Sequence, residues 1–375
     1  MNIDWSIAKI LEEAPYGEEF FALKGLPANG ADPAASRLSL RQLLDYRRID
    51  AERFLTEYAL YASDKQEELS TGAAPEECAL WARIPCVVQL PIQNELNRFL
   101  REQGREDLKY NVALVEFGKD WIETLMDQAR PAIVIGAGVE GMVQNKTLLE
   151  EYEAPAAGPL NCDFDDMEDP RGIFRLISGI PLVFVADEGQ LAGRPAPKSW
   201  ADLVKPEWEK QLCYADDGHL LDSILLAYFW KSFGEEGLRQ FRKNCLIGAH
   251  PSQMIKAGGL QERPAVFILP YIFAQIKAKE AGMRVVCPKE GAAILPLAVT
   301  IRRDAGPGER RLAEFLCGAD CGRTLVRQGQ FPSSCPQVEN GLPGRLLWLG
   351  WDYLYRQDMI ALIQRAKEVF LGGAR

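Results

Sequence analysis

A glycine-rich turn is the first feature of this sequence that could do chemistry. Gly136, Gly138 and Gly141 form a G-x-G-x-x-G pattern directly after the apolar run IVI. In nicotinamide and flavin enzymes this pattern joins a strand to a helix and holds the pyrophosphate, and the next strand ends in an acidic residue about 20 residues on. Here Pro155 and Pro159 occupy that region. We therefore expect no dinucleotide cofactor at this turn.

Histidines and cysteines are the other residues that could bind a metal or act as nucleophiles. The chain has only two histidines, His219 and His250, and nine cysteines that lie in or beside apolar runs. Cys317 and Cys321 are four residues apart, but a structural zinc site needs four ligands and no second pair completes one. We expect all nine cysteines to be buried, reduced thiols of a cytosolic protein.

Catalytic patterns are absent from the sequence. It contains no G-x-S-x-G motif, and no cysteine stands beside a base in sequence. The interpretation is therefore a protein that is not an enzyme and has no cofactor.

Charge and hydropathy argue against two further classes of protein, nucleic-acid-binding proteins and membrane-spanning proteins. The net charge of −10 without a basic stripe argues against nucleic-acid binding. No apolar run reaches the roughly 18 residues of a membrane span. Asp4, Glu12 and Glu13 interrupt any secretory signal, so we expect a cytoplasmic protein, or a periplasmic or extracellular one if a leader has been removed.

The order of elements indicates two parts. Residues 1–75 carry apolar residues at helical spacing, with Asp4 and Ser39 as expected N-caps, and predict a small all-α domain. From about residue 80, short apolar runs alternate with helical segments, which indicates an α/β fold with a mostly parallel sheet. Residues 344–371 are expected to be helical and are rich in Trp and Tyr.

Two stretches carry a family resemblance. The first is similar to a phrase of the solute-binding proteins of bacterial ABC importers, in which P-x-S-W-x-D-L and P-x-W precede a strand of the second lobe. Its matching residues are Pro197, Ser199, Trp200, Asp202, Leu203, Pro206 and Trp208. The second stretch resembles the return crossing of that family, which closes on G-x-F-P. Its matching residues are Gly329, Phe331 and Pro332.

The resemblance covers about residues 80–340 and implies a two-lobed, type II periplasmic-binding-protein-like fold. Each lobe would be a mixed, mostly parallel sheet flanked by helices, and a ligand would bind between the lobes. Lobe one would comprise residues 80–183 and 292–375 with the C-terminal helices, and lobe two residues 184–291. Residues 1–75 lie outside the resemblance.

Ligands of open α/β sheets collect at the carboxyl ends of the strands, which selects the candidate ligand-binding residues. Most of these loops lead into helices, whose free N–H groups would point at the cleft. The candidates of lobe one are Pro91, Gln93, Asn94, Gly136, Ala137, Gly138 and Glu140. Those of lobe two are Asp216, Asp217, Gly218, His219, His250, Ser252, Gln253 and Tyr271.

Three ligand classes stay open: a metal ion or chelate, an oxyanion, and a small organic acid. A metal would be held by His219, His250, Asp216 and Tyr271. Ferric-iron binders of the family use adjacent tyrosines after a lobe-two strand, whereas ILPYIFA offers only Tyr271, which argues against ferric iron.

The predicted function is a cytoplasmic sensor, buffer or carrier that captures a small solute. Its partner would be an ABC transporter permease, as the resemblance implies, or a redox or metal protein bound through the N-terminal helices. One alternative is an enzyme built on the same fold. Another is an interaction protein that uses the N-terminal domain and the aromatic C-terminus, with Trp348, Trp351, Tyr353 and Tyr355.

Overall fold

The structure is a computed structural model. It describes residues 77–114, 121–215, 221–255, 263–342 and 344–372, together with 3–13, 38–47 and eight single or paired positions between 17 and 58. The chain divides into two compact units, Met1–Gly72 and Ala73–Arg375. Each unit is described by itself.

The N-terminal unit contains two described helices, which begin as capping chemistry dictates. The Ser39 hydroxyl accepts from the Gln42 backbone N–H at 3.2 Å, and the Gln42 side chain accepts from the Ser39 N–H at 2.9 Å, so Ser39 is the predicted N-cap. The expectation for Asp4 was wrong, because Ser6 caps the first helix and Asp4 pairs with Arg41 at 3.0 Å. The helices are α1 (Ile7–Glu13) and α2 (Leu40–Arg47).

The second unit is built on one mixed sheet of eleven strands. Its main path runs in the order β2-β1-β3-β10-β5-β8-β6-β7. The strands are β1 (Leu80–Ile84), β2 (Tyr110–Leu114), β3 (Ile133–Ala137), β4 (Tyr152–Glu153), β5 (Arg175–Asp187), β6 (Leu212–Ala215), β7 (Cys245–Ala249), β8 (Val266–Pro270), β9 (Met283–Val286), β10 (Ala292–Arg302) and β11 (Leu346–Leu347).

Helices connect these strands, and among the described residues none is long and apolar enough to cross a bilayer. The helices are α3 (Cys86–Glu102), α4 (Trp121–Gln128), α5 (Lys146–Glu151), α6 (Glu188–Leu191), α7 (Leu221–Asn244), α8 (Pro251–Met254), α9 (Tyr271–Lys277), α10 (Pro307–Leu316), α11 (Ala319–Thr324), α12 (Trp351–Arg356) and α13 (Met359–Gly372).

Two long strands join two groups of parallel strands. The first group, β1 to β3, is parallel within itself, and so is the second group, β6 to β8. The 13-residue β5 and the 11-residue β10 pair antiparallel with each other between the groups. Strand β3 pairs with β10 and strand β8 pairs with β5, so both groups share one continuous sheet.

The C-terminal helices contact two separate parts of the second unit, although we expected them to pack on lobe one. Trp351 of α12 stacks on Phe174, just before β5, at 5.9 Å between ring centroids. Phe370 of α13 instead packs on Tyr214 of β6 at 5.4 Å and on Phe241 of α7 at 5.8 Å. The apolar face of α13 therefore covers the second strand group, which helical periodicity alone could not have shown.

Candidate functional site

The carboxyl ends of the two strand groups point toward each other across the long strands. Ala137, at the end of β3, pairs with Leu297, which pairs with Ser178 of β5. Pro270, at the end of β8, pairs with Leu182 of β5. Strand β3 runs along β5 toward residue 182, and β8 runs in the opposite direction. Along the strand direction, four residues, or about 13 Å, separate the two ends, and across the sheet β10 and β5 lie between them. We call residues 178–182 and 293–297 the crossing segment, and it forms the floor between the two strand groups.

Two positions of the second strand group reach the same level at this edge. Tyr214 of β6 pairs with both Gly248 and Ile268. Two residues further on, His250 and Pro270 therefore lie at the same level on the strands that flank β6, about 10 Å apart. The rule that ligands bind at the carboxyl ends of strands therefore selects residues that lie at one level of this sheet edge.

Two prolines weaken the ladder of the crossing segment. Pro181 pairs with Ile294, and Pro296 pairs with Gly179. A proline has no N–H to donate to a neighbouring strand. The register also shifts between Leu297 and Ala298. Neither proline can donate a ladder hydrogen bond, so the crossing segment has fewer backbone donors than a strand pair without proline.

The glycine-rich turn lies at the end of β3, where the strand-end rule placed it. Gly138 has a φ of +80°, which favours glycine, and its N–H donates to the Pro296 carbonyl at 2.8 Å. That N–H is therefore already used within the protein. A Cβ on Gly136 would lie 2.6 Å from Met142 Sδ, so packing explains this glycine.

The topology after the turn differs from that of a dinucleotide-binding unit. Within the described residues 121–215, the turn enters a 3₁₀ helix, Met142–Gln144. The next strand, β4, pairs antiparallel with β10 and does not extend a parallel βαβ unit. Gly141 is not tightly packed, since its nearest neighbour would be Ile122 at 3.6 Å from an added Cβ. Packing explains Gly136 and the backbone angle explains Gly138, whereas the surroundings of Gly141 do not require a glycine.

Glu140 is the most unusual polar residue of the turn. Its side chain is only 8% exposed, and among the described residues its Oε1 has no hydrogen-bond partner. Burial raises the pKa of Glu140 to about 7 from an ordinary 4.5, and a hydrogen bond from its own backbone N–H opposes part of this rise. A buried acceptor without a partner costs stability and is suited to a donor or cation brought by a ligand.

Pro91, Gln93 and Asn94 do not lie in a loop, contrary to expectation. Strand β1 ends at Ile84, and all three lie inside α3, with Pro91 within the helix. The apolar run IPCVVQLP contains both the strand end and the first turns of the helix, which a period-two pattern cannot separate. Gln93 donates to the Val112 carbonyl at 3.1 Å, so it fixes α3 to β2.

The lobe-two candidates are described only in part. Residues 216–219, which include Asp216, Asp217, Gly218 and His219, lie outside the described residues. His250 is exposed, and its carbonyl accepts from the Gln253 N–H at 2.8 Å at the start of α8. Gln253 is exposed; Ser252 lies in the same turn, and its side chain is outside the described set. Tyr271 is half-buried at the first position of α9.

Sequence reasoning missed one segment beside the floor. Ser333 forms a bridge with Ser178, whose hydroxyl donates to the Pro332 carbonyl at 2.8 Å. The Asn340 carboxamide oxygen accepts from the Ser333 N–H at 2.7 Å. The sequence FPSS carries part of the family resemblance, but no pattern in it predicts the bridge to β5.

The expectation that every cysteine is buried was wrong for two of the described residues, because Cys162 is exposed and Cys287 is half-buried. Across the described ranges, no three His, Cys, Asp or Glu side chains form a group that could hold a metal. Burial raises the pKa of the thiols of Cys213 and Cys317 to about 12 and also raises that of Cys245 and Cys321. Such thiols are poor nucleophiles at neutral pH.

Comparison with known proteins adds a family and a fold. Residues 133–357 match the family described as bacterial extracellular solute-binding protein. A search of curated proteins found no match.

Three solved structures illustrate the fold. The Bordetella ferric binding protein has 13% identity and a TM-score of 0.56, covering 79% of this chain and 98% of its own. The periplasmic binding protein AfuA from Actinobacillus pleuropneumoniae, with fructose-6-phosphate bound, has 16% identity and a TM-score of 0.55, covering 78% and 98%. The Trichodesmium protein IdiA (FutA), in complex with iron and citrate, has 12% identity and a TM-score of 0.56, covering 77% and 98%.

These identities establish the fold alone. The predicted two-lobed, type II periplasmic-binding-protein-like architecture is confirmed. With the lobe boundaries expected from the sequence, β1 to β3 fall in lobe one and β6 to β8 in lobe two.

Proposed function

The chain belongs to the bacterial extracellular solute-binding protein family, and we propose that it captures one small solute between its lobes, on the floor formed by the crossing segment. The observation that carries this proposal is the opposition of the strand ends. Ala137 and Pro270 end strands that run toward each other over about 13 Å of β5. A solute held between these ends would lie on β10 and β5, the long strands that separate them.

Glu140 narrows the class of solute. An ionised, buried carboxylate repels a bare oxyanion, and its Oε1 needs a donor or a cation. We propose a solute that brings a metal ion or several hydroxyl groups, such as a chelate of a hydroxy acid or a sugar phosphate. AfuA with fructose-6-phosphate and IdiA with iron and citrate are examples of such cargo in this fold.

His250, and His219 from the undescribed loop, are proposed as ligand contacts from lobe two. His250 follows β7 at the level of Pro270, at the carboxyl end of the second strand group. A neutral imidazole can bind a metal or donate one hydrogen bond.

A melting-temperature screen tests the proposal. Ferric citrate, nickel, zinc, inorganic phosphate, fructose-6-phosphate and citrate are added in turn to purified protein. Ligand at about 100 times its Kd stabilises the folded state by roughly 2.7 kcal/mol, and we expect at least one compound to do so. The His219→Ala/His250→Ala double variant should lose most of that shift while its unliganded melting temperature stays the same.

Native mass spectrometry of freshly purified protein covers ligands outside the panel. The proposal would be contradicted if the measured mass is that of the protein without a ligand and no compound of the panel stabilises the protein. A shift that survives the double variant intact would remove both histidines from the site and leave solute binding standing.

The compartment is a separate part of the proposal. Nine cysteines are suited to a reducing compartment, whereas the family is described as extracellular. We propose a cytoplasmic sensor, buffer or carrier. Fractionation of cells that express the natural protein decides this, because recovery from the periplasm or medium would instead support delivery to an ABC transporter permease.

A further inference from the structure

The C-terminal residues 346–372 touch both lobes, and we call them the C-terminal strap. Strand β11 pairs with Ala292 and Ala293, at the start of β10. Helix α12 then packs on lobe one, where the Trp351 indole N–H donates to the Met167 carbonyl at 2.8 Å. Helix α13 packs on lobe two through Phe370. The strap is therefore a third connection between the lobes, besides β5 and β10.

The strap changes direction between its two helices. Gln357, which ends α12, has extended backbone angles of −101° and 147°. The side chain of Asp358 accepts from the Ala361 N–H at 2.9 Å and begins α13. Any change of angle between the lobes must be absorbed at this two-residue junction, since the helices on either side are anchored to different lobes.

One side chain of the ligand-binding turn holds this junction. The Gln144 side-chain amide donates to the Gln357 carbonyl at 3.1 Å, and its oxygen accepts from the Ile360 N–H at 3.5 Å. Gln144 ends the 3₁₀ turn that follows Glu140. The turn itself is hydrogen-bonded through Val143 N–H to the Val139 carbonyl at 2.9 Å. Glu140 and the strap junction are thus joined by one short, rigid turn.

We propose that Gln144 is a positioning residue that couples the Glu140 turn to the C-terminal strap, so that solute capture on lobe one is transmitted to α13 on lobe two. The role of this coupling in solute capture rests on the proposed solute-binding function, whereas the coupling itself does not depend on a solute. Coupling of this kind is reciprocal, so a change at the strap also changes the turn.

Hydrogen–deuterium exchange of the full chain without any added ligand tests the coupling. Gln144→Ala removes the hydrogen bonds to the junction, and loss of one such bond raises local opening about fivefold. We expect faster exchange both in residues 138–145 and in residues 357–372, with no change in α10. Gln364→Ala, an exposed glutamine of α13, is the matched control and should leave residues 138–145 unchanged.

Two further variants separate coupling from simple loss of packing. Gln144→Met keeps the length of the side chain without its hydrogen-bonding atoms and should behave like Gln144→Ala. Glu140→Gln should alter exchange in α13 in the natural chain but not when combined with Gln144→Ala. Three results would each overturn the proposal. In the first, Gln144→Ala changes exchange only in residues 142–145; in the second, Gln144→Met keeps the exchange of the natural chain. In the third, Glu140→Gln has the same effect with and without Gln144→Ala. None of these outcomes depends on whether a solute binds.

Discussion

Replacing Glu140 with Gln should make the stability of the protein less dependent on pH. Below pH 4.5 the carboxyl is protonated in both the folded and the unfolded chain, and it contributes nothing. As the pH rises from 4.5 to about 7, the unfolded chain releases this proton first, so the folded state loses stability. Above pH 7 the full cost of the buried carboxylate is present.

The magnitude follows from the rise of the pKa from 4.5 to about 7. Each step of one in pKa corresponds to about 1.4 kcal/mol, so the ionised carboxylate costs about 3 kcal/mol. About 2 kcal/mol of this cost develops between pH 5.5 and 8.5. The second unit has about 300 residues and an unfolding entropy of about 0.6 kcal/mol per kelvin, so this corresponds to about 3 °C.

Differential scanning calorimetry at pH 5.5 and 8.5 measures the effect. We expect the melting temperature of the natural chain to fall about 3 °C further over this range than that of Glu140→Gln. The control is Glu123→Gln, which alters an exposed carboxylate on α4 and should follow the natural chain. The reasoning would be refuted if the melting temperatures of the natural chain and of Glu140→Gln change in parallel with pH. A constant difference between the two curves, caused by the new amide, would not affect this test.

Three further predictions use other parts of the molecule. NADH, NADPH and FAD should not bind at micromolar concentration, and flavin absorbance in the purified protein would contradict the assignment of the glycine-rich turn. All nine cysteines should titrate as free thiols after anaerobic denaturation, and a pair restored only by reductant would reveal a disulfide. Gly291→Ala should destabilise the protein by about 2 kcal/mol or more, because its φ is +121° and an added Cβ would lie 2.7 Å from the Arg345 carbonyl oxygen. An unchanged denaturation midpoint would show that this contact relaxes freely.

The sequence predicted most of the sheet because its strands are short apolar runs bounded by helical periodicity. Strand β8 and the long helix α7 were read from such patterns. The boundary between β1 and α3 could not be read, since Cys86, Val87 and Val88 are as compatible with a strand as with a first helical turn.

The site was harder to predict because it depends on register and burial. Glu140 was chosen from its place after a strand, but its unpartnered oxygen depends on the packing of the folded turn. Likewise, the contact of Gln144 with Gln357 joins residues 213 positions apart, and no local pattern reports such a pair.

The chain order of the sheet has a consequence during synthesis. Ala137 and Leu297 are partners in the sheet but are separated by 160 positions, whereas the strands of lobe two are continuous in the chain between them. Translation at about 5–20 residues per second leaves roughly 8 to 30 seconds between the emergence of β3 and that of β10. Lobe two can pair its own strands in that interval. The apolar edge of β3 stays without its partner, which makes lobe one the half that needs protection from aggregation on the ribosome.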